Sequence, residues 1–388
     1  MKINKLVIIL LGGSLLCFSL GQLARISIPD QPVFFYLYEL LVGFVTTILV
    51  FRYRLKPFQN QMVKPISMFF TWLLISFIIS IWFYSMNHDL IAFLYFLRLL
   101  LYYVFFIYLV YFFQKERVQK SFFMVNLTSI AIILTSFVQY FLYQNLGNLA
   151  YLGWDPHLYR VVGLFFDPPI TVSVYVIFAI YFFLYFEKSR NWGYLLLITP
   201  LLVLSFLTYS RGGLLGLVAL CVVYVLKKQN WRLLVFVVFI LVGGFLVIPK
   251  GSSEGINLLR TTSIEARIND YEKAITIWKK SPIVGIGYNH IRYEKDEYEE
   301  QVFYGPYNPS HGSTAFHSSF LVILVTSGVI GLILYLWMLF SFAKMSEFML
   351  LCIVFLSIVS IFDNVLLHPF LLYLVFLLEG YTRTWKKG

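Results

Sequence analysis

Apolar runs of about 20 residues recur along nearly the whole chain, each long enough to cross a bilayer core of about 30 Å. They fall at roughly 5–24, 33–51, 66–86, 90–113, 121–144, 169–186, 192–209, 212–226, 232–249, 315–341, 346–363 and 367–384, about 12 spans in all. With 60% hydrophobic and only 13% charged residues, no soluble fold can hide this much apolar surface. The expected class is an all-α, polytopic integral membrane protein. We take 1–388 as a single membrane domain with one large interruption, the polar interval 249–315. Internal repeats are not apparent.

The basic residues orient the spans. With the N-terminus inside, the inner segments hold Lys2 and Lys5; Arg52, Arg54, Lys56 and Lys64; Lys115, Arg117 and Lys120; Lys188 and Arg190; Lys227, Lys228 and Arg232; Lys344; and Arg383, Lys386 and Lys387. The short outer loops hold Arg25, Arg160 and Arg211, with none around Asp89 or around Asp363 and Asn364. Lys and Arg concentrate in cytoplasmic loops, so both termini are expected in the cytoplasm and 249–315 on the extracytoplasmic side. The net charge of +11 follows from that bias and calls for no nucleic acid. Lys2 and Lys5 before an apolar run resemble a signal peptide, but no small-x-small site follows, so the run reads as an uncleaved first span. The three cysteines, Cys17, Cys221 and Cys352, lie in apolar runs, so the outer loops carry no disulfide and no CxxC site exists.

Within the interval, Thr262-Ser263-Ile264-Glu265 is a helix start, a hydroxyl cap with an acidic first turn. The helix should run to about Lys279. Ile264, Ile268, Tyr271, Ile275 and Trp278 form its apolar stripe, with Asn269, Asp270, Glu272, Lys273 and Thr276 away from it. Such a helix lies on the membrane or on the bundle. Arg267 points with the stripe and needs an anion there, either a structural carboxylate or a substrate phosphate. Arg260 shares that face or is a simple loop arginine. Ser281-Pro282 ends the helix, and Gly285-Ile286-Gly287 reads as a tight turn against the bundle. The acidic run 294–300 reads as a solvated patch, and His311 sits in an Asn-Pro-Ser-His-Gly-Ser stretch.

Several polar residues lie beside apolar segments, where they need a partner or a watery cavity. Arg160 precedes Asp167-Pro168-Pro169, whose prolines imply a broken, cavity-lining helix start. Arg211 sits in Ser210-Arg211-Gly212-Gly213 with almost no loop around it. Its glycines allow close approach and free amides for an anion, or the side chain snorkels to outer headgroups. Glu39 and Arg98 lie at similar depth in their spans, and a buried structural ion pair is the economical reading. His317 opens span ten. It is either an interfacial polar residue or the group that takes a hydroxyl proton near neutral pH. Gly328 and Gly331 in the same span imply close helix packing.

Taken in order, Arg160-x-x-Gly163, Ser210-Arg211-Gly212-Gly213, an outer amphipathic helix, Ser281-Pro282-x-x-Gly285-x-Gly287, and His317-x-x-x-Leu321 with Gly328-x-x-Gly331 resemble the O-antigen ligase/O-antigen polymerase superfamily of bacterial membrane glycosyltransferases. The resemblance covers about residues 155–335. Ser318 and Pro169 depart from it, standing where the family usually has Asn. It implies an undecaprenyl-diphosphate-linked oligosaccharide donor, a glycan acceptor, inversion at the anomeric carbon, and no metal or other cofactor. The site would face the outside of the bacterial inner (plasma) membrane.

On this reading Arg160, Arg211, Arg267 and Arg260 would hold the diphosphate, and His317 and Arg211 would be catalytic. Membrane lipids are surroundings, and a chain-length regulator protein is compatible as a partner. The leading expectation is a polymerase of O-antigen, capsule or exopolysaccharide repeats. A ligase acting on lipid A core, wall polymer or protein is the first alternative. A lipid-linked sugar transporter or flippase is the second, but it should show repeated halves and midplane polar residues. Here the polar residues gather at the outer end.

Overall fold

The computed structural model describes residues 2–28, 33–116, 122–152, 157–229, 262–296 and 315–387. The fold is nearly all helical, at 79%. The first eight helices are α1 (Lys2–Ser19), α2 (Leu37–Tyr53), α3 (Val63–Ser80), α4 (Met86–Lys115), α5 (Phe122–Leu142), α6 (Pro168–Ser189), α7 (Leu195–Leu207) and α8 (Arg211–Lys228). The described part of the polar interval supplies α9 (Thr262–Trp278) and α10 (Ile291–Asp296). Three helices close the chain: α11 (Ser319–Ala343), α12 (Glu347–Phe362) and α13 (Pro369–Thr382). One feature departs from an all-α reading. Between α1 and α2, β1 (Arg25–Ser27) pairs antiparallel with β2 (Phe34–Tyr36).

Among the described residues, five helices are long and apolar enough to cross a membrane: α3, α4, α6, α11 and Phe123–Leu142 within α5. The other apolar runs are broken or shortened. α7 holds 13 residues with Pro200 inside, and α13 holds 14 and starts at Pro369. Helices of that length rise about 20 Å, short of a core of about 30 Å. Their run-length in sequence came from flanking apolar residues that the fold places in turns. The expected span at 232–249 lies outside the described residues. The centre of the bundle is α13, buried at every position from Phe370 to Thr382, with α6 buried over most of its length.

One crossing sets the end of the bundle where the polar interval docks. α11 breaks at Gly328, which takes φ +67° and ψ −173° inside an otherwise helical run. The carbonyls freed around the break are taken up by other segments. Val325 and Thr326 accept from the amides of Ile286 and Gly287, both at 3.0 Å. Val329 returns the bond, its amide reaching the Pro282 carbonyl at 3.0 Å. From α3, Ser76 donates to Thr326 and Trp72 to Ser327, each at 2.8 Å. The Pro282–Gly287 turn thus threads against a broken helix, and in hydrocarbon every freed backbone group must find such a partner. Gly285, at φ +83°, has Thr326 and Ser327 backbone where a Cβ would go, and Gly328 has Ile283.

A side chain at either crossing glycine should loosen this joint. Gly328→Ala carries about 1–2 kcal/mol of left-handed backbone strain before any clash. We expect a lower unfolding midpoint in detergent for Gly328→Ala and Gly285→Ala. Gly43→Ala, whose Cβ meets nothing within 4 Å, should leave the midpoint unchanged.

Candidate active site

The amphipathic helix forms where the sequence places it, but it is turned. Ile264 and Ile268 of the expected stripe are exposed, at 46% and 51%. Asp270, Ala274 and Ile277 are buried instead, at 6%, 0% and 0%. The inward face is therefore one residue round from the apolar stripe. What turns it is charge. Asp270 accepts the His317 backbone amide at 2.6 Å and the His317 Nδ1 at 2.9 Å through Oδ2, and the Lys295 ammonium at 2.8 Å through Oδ1. A buried carboxylate with three donors, one of them charged, can outweigh two isoleucines left on the surface.

His317 keeps 43% of its side chain exposed, so Nδ1 is held and Nε2 is the ring nitrogen left for substrate. The hydrogen bond it donates to Asp270 pushes its pKa above the ordinary histidine value despite partial burial. Burial pushes the Asp270 carboxyl up, but His317 and Lys295 together hold it below its ordinary range. An ionised carboxylate fixing one ring nitrogen makes the other a directed base.

A second acid organises the arginines. Asp363 follows α12 directly and receives Arg267 Nη2 at 3.2 Å on both oxygens. Arg267 Nε also caps the Phe362 carbonyl at 2.9 Å, and Tyr271 donates to the Ile361 carbonyl. Two residues of α9 thus satisfy the last carbonyls of α12, where a cation also meets the negative helix end. Of the two partners open to Arg267, the structure supplies a carboxylate. Arg160 and His317 also act electrostatically on Asp363, and Arg211 feels both Arg267 and Asp363.

Arg160 is buried, with Nε on the Thr208 carbonyl at 3.0 Å and Nη2 near that of Tyr209 at 3.5 Å. Its backbone is clamped by Gln139, which donates to the Arg160 carbonyl and accepts from Val162 and Gly163. Arg211 starts α8, one residue beyond the Ser210 cap that accepts the Gly213 amide at 3.3 Å. That amide serves the cap, and Gly213 is needed because a Cβ would meet Val172 at 2.6 Å. Downstream of Arg160, α6 is unbroken from Pro168, and the cavity-lining break expected there is absent.

The expected site residues therefore divide. Arg160, Arg211, Arg267 and His317 gather around Asp363, while Glu39 and Arg98 form a separate pair 2.7 Å apart. Arg260 and His311 lie outside the described residues. Three residues escaped the sequence reading. The sequence pattern puts Asp270 on the outward face, Lys295 in a solvated patch and Asp363 in a short outer loop without Lys or Arg. Lys295 is 2% exposed beneath Asp270, and Glu294 of the same run binds Lys280 and Tyr84 at 2.7 and 2.6 Å. A signal existed for Asp363, an acid bounded by apolar spans with no basic neighbour in sequence.

Residues 195–336 match the family model described as O-antigen ligase. That match spans 142 of the 388 residues and makes this stretch similar to the O-antigen ligase/polymerase superfamily. No curated protein matches the chain. The matched stretch runs from α7 into α11 and contains Arg211, Arg267, Asp270 and His317; Arg160 and Asp363 complete the cluster from outside it. Together with the five long apolar helices among the described residues, the match points to an integral membrane protein of polysaccharide biosynthesis.

The return arm of the interval is pinned to the α3–α4 hairpin through His290. Its ring, fully buried, lies 3.0 Å from Asp89 and 3.5 Å from Ser80, stacked on Tyr84 at 4.1 Å and near Phe77. His88 stacks on Tyr293 beside it at 3.6 Å. Burial lowers the His290 pKa, with Asp89 offsetting part of the effect. The docked form thus binds fewer protons than the undocked one. Docking should be complete above the ordinary histidine pKa of about 6.5 and weaken as pH falls below it. Amide hydrogen exchange across 285–296 should speed up at acid pH, and His290→Gln should flatten that dependence.

Proposed function

We propose that the chain is an extracytoplasmic glycosyltransferase that polymerises undecaprenyl-diphosphate-linked oligosaccharide repeats. The observation that carries this reading is a directed histidine, His317 on Asp270, beside a cluster of guanidinium groups. Transfer of a sugar from a lipid diphosphate needs those two things together. The acceptor hydroxyl oxygen attacks the anomeric carbon as the bond from that carbon to the diphosphate oxygen breaks. The bonding pair leaves with the polyprenyl diphosphate, and the configuration inverts. The hydroxyl proton passes to His317 Nε2, and Asp270 steadies the resulting imidazolium through Nδ1.

Charge builds on the leaving diphosphate, where Arg160 and Arg211 would stabilise it by charge-assisted hydrogen bonds without a metal. Arg267 contributes through Nη1, which none of its bonds to Asp363 or Phe362 uses, and Arg260 stays a candidate on the same arm. In this reading residues 1–388 form one membrane domain in the bacterial inner membrane. Both termini face the cytoplasm, and 249–315 closes over the site from outside. A chain-length regulator protein would act on this enzyme rather than complete its site.

The ligase reading is favoured by the description of the matched family itself. Purified protein given one defined lipid-linked repeat as both donor and acceptor separates the two. Longer lipid-linked products are expected, whereas product only after adding a second acceptor would establish the ligase.

Two sets of variants test the site. His317→Ala and Arg211→Ala should remove polymer from gels while the protein stays folded and inserted, since general-base catalysis alone is worth about 10²–10⁴-fold. Wild-type chain lengths from either variant would overturn its role. Because His317 must be unprotonated to act and its pKa is raised, activity should rise with pH through a midpoint above the ordinary histidine value. Asp270→Asn should lower the rate and move that rising limb toward acid pH. A slower enzyme with an unmoved limb would make Asp270 merely structural.

A further inference from the structure

A second cationic cluster, whose arginines the reaction site does not use, lies beside the first. On the β1–β2 hairpin, the Arg25 guanidinium carbon sits 4.0 Å from the Phe34 ring centroid. Its Nε is buried and has no hydrogen-bond partner among the described residues. Arg98 lies over the same ring at 5.1 Å and over Tyr95 at 5.9 Å. Phe34 and Tyr95 meet edge to face at 6.4 Å. Arg292, from α10, joins Arg25 and Arg98 in acting electrostatically on Tyr95.

Three guanidinium groups therefore act on one ring, and the acids close by among the described residues are already committed. Glu39 takes Arg98 at 2.7 and 2.9 Å, the Tyr36 amide at 2.8 Å and the Tyr102 hydroxyl. Asp89 is held by His290 and Glu294 by Lys280 and Tyr84. Nothing among these neutralises Arg25 or Arg292. A half-buried guanidinium with an unpaired buried donor, set beside like charges, is unfavourable unless an anion arrives. Arg25, Phe34, Tyr95 and Arg292 all keep part of their surface open.

The cluster adjoins the reaction site. Gln22, three residues before Arg25, donates its amide to the Leu164 carbonyl at 2.8 Å, in the loop that follows Arg160. Tyr36 packs on Phe370 at 4.4 Å, and Phe370 on Phe165 at 5.1 Å. On the other side, Arg292 and Lys295 belong to one short helix, about 5 Å apart along its axis. Lys295 grips the Asp270 that holds His317. A ligand anchored at Arg25 and Arg292 would thus lie one helical turn from the catalytic pair.

We propose that Arg25 and Arg292, floored by Phe34 and Tyr95, seat the phosphate of a second lipid, which in the reaction is the diphosphate of the lipid-linked acceptor. This rests on the polymerase reading, in which donor and acceptor each bring a lipid diphosphate to the outer leaflet. The two guanidinium groups take phosphate oxygens, and the ring faces suit the sugar that follows. A bilayer headgroup offers the same phosphate chemistry, so the experiment separates the two sources.

Full-length protein in phosphatidylcholine nanodiscs is titrated with geranyl diphosphate by calorimetry. Two equivalents are expected for the wild type, and one for the Arg25→Gln/Arg292→Gln double variant. Arg292→Gln alone should weaken the second equivalent by tenfold or more, and Arg25→Lys should largely retain it. Glu39 and Arg98 are untouched, so an unchanged unfolding midpoint verifies the fold, and the single loop variant Arg292→Gln serves if the double variant unfolds. Repetition in nanodiscs containing phosphatidylglycerol assigns the source. A second equivalent that persists belongs to the diphosphate, and one that disappears belongs to a headgroup seated by the same arginines. One equivalent in the wild type, or two undiminished in both arginine variants, overturns the seat. If instead Arg211→Gln loses no binding while these variants do, the assignment of the donor site fails and the seat stands.

Discussion

The candidate site depends on one carboxylate. Asp270 has two oxygens and binds three donors, from two segments far apart in sequence. It joins the first arm of the polar interval, α9, to Lys295 on the middle arm and to His317 where the chain re-enters the bundle. Removing Lys295 takes away the cation paired with this buried carboxylate, a large penalty. The carboxylate therefore fixes both the rotation of α9 and the orientation of the histidine.

Each arm has its own fastening, and the fastenings differ in kind. α9 is tied down by Arg267 and Tyr271 on the last carbonyls of α12. The middle arm is tied by backbone exchange between the Pro282–Gly287 turn and the break in α11, then by His290 on the α3–α4 hairpin. His317 is followed by Ser318 and Ser319, whose hydroxyls reach the Ser360 carbonyl at 2.9 Å and Asn364 at 2.9 Å. The end of α12 thus receives α9 and the start of α11 together, and Asp363 stands where they meet. An acid there can gather arginines from three separate elements.

How much of this was legible follows from the distance over which each signal acts. Helix periodicity and run length are local, so most of the apolar helices and the span of α9, ending at Trp278 against an expected Lys279, could be read directly. The Ser210 cap and the re-entrant turn at Gly285 were local signals too. Partnerships were not. Asp270 and His317 are separated by 47 positions, and Arg267 and Asp363 by 96. A helical wheel ranks faces by hydrophobicity alone, so it turned α9 toward Ile264 and Ile268 and hid Asp270. The described helices are fewer and shorter than the apolar runs for a related reason. An apolar run records what can lie in hydrocarbon, and it does not record where a helix begins within it, as Pro369 shows.

The charge balance of the cluster bears on what it could hold. Arg160, Arg211 and Arg267 bring three positive charges, and Asp363 returns one negative. Left with two in excess, the site is better matched to an anion of about that charge than to a neutral glycan. The excess is positioned rather than merely present: Arg160 is clamped through its own backbone, Arg211 begins a capped helix, and Arg267 is braced on α12. Preorganised donors cost no rearrangement when charge develops, and that is where electrostatic catalysis gains most. Asp363 then has a purpose that a purely cationic site would lack. Without it three guanidinium groups would repel one another in a low-dielectric setting, and the site would hold its shape only when loaded. With it the arginines are assembled in advance, and an anion would meet donors already in place.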